Sequence, residues 1–124
     1  MDSAENYLRL NEKYLEEAEV LVEKGDFVQA SEKFWGAAAT IAKSVAAKRG
    51  VDIRSHGALH QFVSRLEDEL HDPELTRLFA AAAALHENFY ENWLPPEVVI
   101  KYGQAAKQLV SRLDGIQQPV SHRP

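Results

Sequence analysis

The chain has 124 residues, with 14 Lys and Arg against 19 Asp and Glu and no cysteine. That length supports one domain with its own core, and the missing cysteines exclude disulfides, thiolate metal sites and a cysteine nucleophile. A formal charge of −5 argues against general nucleic-acid binding by bulk electrostatics, although a local basic patch remains compatible with it.

Five helices are expected. The first runs from about Ser3 to Lys24, with Tyr7, Leu10, Tyr14, Ala18 and Leu21 recurring at helical spacing. Gly25 stops it. Asp26 caps the second helix, with Gln29 three residues on, and this helix continues to about Arg49. Its middle, FWGAAATIA, is apolar nearly all round, which fits a central helix, or core on one side and a subunit interface on the other.

Ser55 is expected to cap a third helix, about His56 to Leu70, with Leu59, Phe62, Val63, Leu66 and Leu70 facing inward. Asp72-Pro73 predicts the start of a fourth, running to about Trp93 and broken by Pro95-Pro96. The fifth spans about Pro96 to Leu113 on a stripe of Val99, Tyr102, Ala106, Leu109 and Leu113, and Gly115 closes it. The pattern predicts an all-α, antiparallel up-and-down bundle of five helices with no sheet. It occupies residues 1–115, followed by a loose tail at 116–124.

No apolar run nears the ~20 residues that span a bilayer, and the start MDSAENY lacks a signal-peptide pattern, so a cytoplasmic protein with no membrane partner is expected. The absence of cysteine and the single methionine fit a protein that works at high temperature. Glycine-rich phosphate loops are absent. His56 and His60 sit four apart, but the segment HGALH lacks the glutamate of a zinc-protease helix, so neither a metal site nor a cofactor is expected. The cluster from Glu67 to Glu74 reads as a solvated helix end. Trp35 and Trp93, beside alanines at helical spacing, read as core or dimer-interface residues.

The most informative segment is AAAAALHENFY, residues 80–90. Its alanines allow a neighbouring helix to approach closely, and His86 and Tyr90 lie one turn apart on one face. Together GDFVQASEKFWGAAATIAKSVAAKRG, RSHGALHQFVSRL and LHENFYENWL resemble the archaeal PaREP family, grouped with the HEPN-like helical bundles. The resemblance runs from about Tyr7 to Leu113, and Gly25-Asp26, Phe34-Trp35, Ser55-His56 and His86 to Tyr90 occur in the family's order.

That resemblance implies a homodimeric bundle. Active HEPN-like members are metal-independent ribonucleases with an Arg, four to six intervening residues and a His. His86 stands at the His position and Tyr90 at an aromatic that often follows. The Arg positions carry Phe79, Ala80 and Ala81 instead. Arg77 lies nine residues back, on the opposite helix face at ~100° per residue. Arg54 and His60 satisfy the spacing, but at the start of the third helix.

The cation that would stabilise phosphate is thus missing beside His86, and enzymatic activity is not expected. The leading expectation is a non-catalytic, homodimeric binding or scaffold module that contacts RNA or nucleotide through Arg49, Arg54 and His56. One alternative is a toxin-like, metal-independent ribonuclease that joins His86 to an arginine of another helix or subunit, Arg54 first. Another is a purely structural partner of an unidentified protein.

Overall fold

The computed structural model describes residues 2–116, and all regular structure among them is helical. Five helices follow in order: α1 (Ser3–Glu23), α2 (Phe27–Lys48), α3 (His56–Leu70), α4 (Leu75–Glu91) and α5 (Pro96–Asp114). The all-α, five-helix bundle read from the sequence is the observed fold. Residues 117–124 of the expected tail lie outside the described residues. No described helix is long and apolar enough to cross a membrane.

Local chemistry explains most boundaries. Asp26 caps α2 by accepting from the Gln29 amide at 3.1 Å, and Ser55 caps α3 by accepting from the Ala58 amide at 3.0 Å. Gly25 at φ 79° and Gly50 at φ 71° take the left-handed turns that end α1 and α2.

Two boundaries differ from expectation. Asp72-Pro73 does not open α4, which begins at Leu75 with Glu74 at its cap and no side-chain bond. Asp72 accepts from the Glu74 amide at 3.1 Å but also binds Arg112 of α5, so it shapes a turn rather than a helix start. At the far end α4 stops at Glu91, because Asn92 adopts φ 49° and leaves Trp93 outside the helix.

α2 is the hub, and all four other helices pack on it. Phe34, Trp35, Ala37, Ala38, Ile41, Ala42 and Val45 are buried, so its apolar middle is core on several sides. Close approach depends on glycine: a Cβ on Gly103 of α5 would lie 2.6 Å from the Phe34 ring. On α1 the expected stripe departs at one position. Leu10 is exposed and Asn11 is buried in its place. The Asn11 amide donates to the Ala37 carbonyl at 2.5 Å and to Thr40 Oγ1 at 3.3 Å, a use of polar chemistry that a hydrophobic pattern does not reveal.

Helix direction alternates at α1–α2, α3–α4 and α4–α5, each joined by a short turn. Between α2 and α3 it does not. The α3 start lies against Trp35, in the first half of α2, and the α3 end lies against Arg49, at the end of α2. α3 therefore runs in the same sense as α2. The link after Gly50 is non-helical and carries the chain back along α2, with Ile53 packed on the core. This return places His56 where α4 ends.

Candidate functional site

The end of the bundle near the α2 start gathers the aromatic and imidazole side chains. Trp35 is its floor, 6% exposed, with the rings of His56, Phe79 and His86 centred 5.5, 5.3 and 5.4 Å away. His56 and His86 meet edge-to-face at 5.0 Å, and His86 meets Tyr90 at 5.3 Å. Helical spacing accounts for the last contact, and the α2–α3 return accounts for the first.

His86 is half-buried. Its Nδ1 lies 2.9 Å from Oε1 of Glu32 on α2. An ionised Glu32 can only accept, so Nδ1 is then the donor, and in the neutral ring Nε2 is the acceptor or base. Glu32 and Trp35 share a face of α2 through their three-residue spacing. Above this pair lies an open recess of about 520 Å³, lined by His86, Glu87, Tyr90, Glu91 and Trp93. Tyr90 is 69% exposed and Trp93 63%, large apolar surfaces for side chains that sit together.

Two residues on, Asn88 is fully buried, and both polar atoms of its amide are bonded. Its amide donates to Ser31 Oγ at 2.9 Å, and its carbonyl accepts from the amides of Trp93 at 2.8 Å and Leu94 at 2.7 Å. Ser31 in turn donates to the Phe27 carbonyl at 2.8 Å. Asn88 thereby holds the chain that leaves α4 and presents Trp93 at the recess.

The sequence-predicted residues separate into two groups. His86, Tyr90, His56 and Trp93 come together at this end. Trp35 joins them as buried core of its own chain rather than as a surface residue. The arginines are committed elsewhere. Arg49 donates from Nη1 to Oε1 of Glu69 on α3 at 2.8 Å, with Nη2 paired to Oε2 at 2.7 Å and its side chain only 15% exposed. Arg54 donates to Asp52 at 2.7 Å and Arg77 pairs with Glu74. His60 rests on Phe79 at 4.7 Å, so Arg54 and His60 each have another partner.

Sequence reasoning missed Glu32. Its one visible signal was a carboxylate set against the almost wholly apolar stretch of α2. Among the described residues no three His, Asp or Glu side chains converge as metal ligands.

Fold and site together define a small all-α bundle with an imidazole–carboxylate pair under an exposed aromatic rim. The chain belongs to the archaeal PaREP1/PaREP8 family, whose model matches residues 6–110. A protein from Sulfolobus solfataricus, known from its crystal structure, is similar at 27% identity and a TM-score of 0.79, over 88% of this chain and 97% of that one. No curated protein matches the chain.

Proposed function

We propose that the protein is a non-catalytic binding module of HEPN-like type that works as a homodimer through its aromatic end. The observation that carries this reading is the charge around His86. Cleavage of a phosphodiester by an Arg–His pair needs a cation at the phosphate. Here the imidazole has Glu32 beside it, and Glu87 and Glu91 line the same recess. Three carboxylates around one imidazole oppose an RNA backbone. Exposed Tyr90 and Trp93 suit contact with a second copy, since amphipathic rings give large contact area at little entropic cost. RNA or nucleotide contact falls to Arg54 and His56, because Arg49 is held by Glu69.

A second reading is a metal-independent ribonuclease, favoured by the Glu32–His86 bond. That bond fixes the tautomer and leaves Nε2 free to move a proton. An arginine from another subunit, Arg54 first, would complete the site. The deciding experiment is sedimentation velocity together with incubation of the purified protein with RNA in EDTA. The binding-module reading expects a dimer and intact RNA. Cleavage that persists in EDTA and is lost in both His86→Ala and Glu32→Gln would establish the ribonuclease instead.

A further inference from the structure

A separate cleft lies at the other end of α2, where the α1 start, the α2 end and the returning link meet. It encloses about 230 Å³ and is lined by Ser3, Tyr7, Lys43, Ala47 and the link residues from Gly50 to Ile53. That is smaller than the roughly 300–1,000 Å³ typical of drug-sized ligands, so any occupant is small. Two of its three walls are helices, and the third is the link that follows α2.

Lys43 is the unusual group. Among the described residues the other lysines and arginines are either exposed or paired with a carboxylate: Lys33 with Glu17, Arg49 with Glu69 and Lys107 with Glu19, for example. Lys43 is half-buried and has no such partner. Tyr7, half-buried on the same cleft, has none for its phenol either. Lys43 lines the cleft, and a lone cation on a concave wall raises the local concentration of anions, so an anion at this place is favoured. The one carboxylate of the lining, Asp52, has Oδ2 turned onto Arg54. One cation and one carboxylate on the same wall match a singly charged anion that also carries a donor better than they match a doubly charged phosphate.

We propose that this cleft binds a small monocarboxylate bearing a hydrogen-bond donor, the size of an amino or hydroxy acid. Lys43 is the counter-ion of the carboxylate, Tyr7 and Ser3 supply hydroxyl donors, and Asp52 accepts from the ligand's own ammonium or hydroxyl. The site is independent of the His86 recess and of the reading given to it.

The test is amide-resolved NMR titration of the full chain with glycine, sodium acetate and inorganic phosphate at constant ionic strength. Glycine should give saturable shifts at Gly50, Val51, Asp52 and Ile53, with acetate weaker and phosphate not saturating. Lys43→Met should weaken glycine by at least about tenfold, the scale of a charge-assisted contact, while Lys43→Arg retains binding. Asp52→Asn should bring glycine down to the level of acetate. Far-UV circular dichroism checks that each variant is folded, and Lys43→Gln stands in if Lys43→Met is not. Absence of saturation by either carboxylate, or unchanged binding without the lysine, overturns the proposal. Tighter saturation by phosphate than by glycine overturns the choice of ligand.

Discussion

Asn88 and His86 leave α4 two residues apart and both reach α2, yet they do different work. Every polar atom of the Asn88 amide meets a protein partner inside the core. His86 has one ring nitrogen on Glu32 and stands at the base of an open recess. The first arrangement ties both polar atoms to the protein and fixes architecture. The second keeps an unused valence beside solvent, which is what binding or proton transfer requires. The closed residue also serves the open one, because Asn88 holds the amides of Trp93 and Leu94 and so sets the rim of the recess.

Removing the closed residue should have the largest effect. Asn88→Ala strands two part-buried amides and the buried Ser31 hydroxyl and leaves a small void. We expect a loss of about 3 kcal/mol in urea unfolding, the range for buried polar groups left unmade. The Trp93 indole should also become more mobile, read by fluorescence anisotropy. A loss below about 0.5 kcal/mol, the ordinary effect of a surface substitution, would erase the distinction drawn between the two residues.

Gly103→Ala comes next. Its Cβ would sit 2.6 Å from the buried Phe34 ring, which has no room to yield, so overpacking of about 1–3 kcal/mol outweighs the ~1 kcal/mol that alanine gains in a helix. Gly36→Ala should cost less. The neighbour there, 2.8 Å from a built Cβ, is the half-buried Tyr14 ring, which can move outward. Chemical denaturation of the two variants side by side ranks them.

The contrast also explains what could be read in advance. Periodicity located all five helices, because apolar stripes and the caps Asp26 and Ser55 are local signals. It failed where a polar side chain took a core position, as at Asn11, or where a cap was recruited by a distant residue, as Asp72 is by Arg112. His86 and Tyr90 were legible as a pair because they share one helix. Glu32 and the approach of His56 were not, since both depend on α3 running in the same sense as α2. No local pattern encodes that return.

The Asp72–Arg112 pair offers a smaller effect with a defined pH window. Burial pushes the Asp72 carboxyl up, and the Arg112 hydrogen bond with the Glu74 amide more than reverses this, so the group sits below the usual carboxylate range. Its contribution is therefore present above the unfolded carboxylate value of about 3.9 and is lost as pH falls through the lower folded value. Arg112 is 41% exposed, which screens the pair to about 0.5 kcal/mol. Arg112→Gln should be less stable than the parent by that amount at pH 7. The gap should close in acid, as pH falls through the lowered folded value and the carboxyl protonates. A gap that is unchanged there would mean that Arg112 acts by packing alone.

The smallest stability effect should come from the open region itself. Tyr90 and Trp93 are mostly exposed, so Tyr90→Ser with Trp93→Ser removes little that the folded monomer buries, and unfolding should shift by about 0.5 kcal/mol or less. Self-association should respond far more. A dimer that rests on these rings loses its largest contact residues, and aromatic anchors of this kind each carry about 2 kcal/mol or more of binding. The dissociation constant should therefore rise by more than about a hundredfold in sedimentation equilibrium while the monomer's melting curve stays in place. If stability falls and association does not, the rings belong to the fold, and the line between the Asn88 and His86 regions lies further out than drawn here.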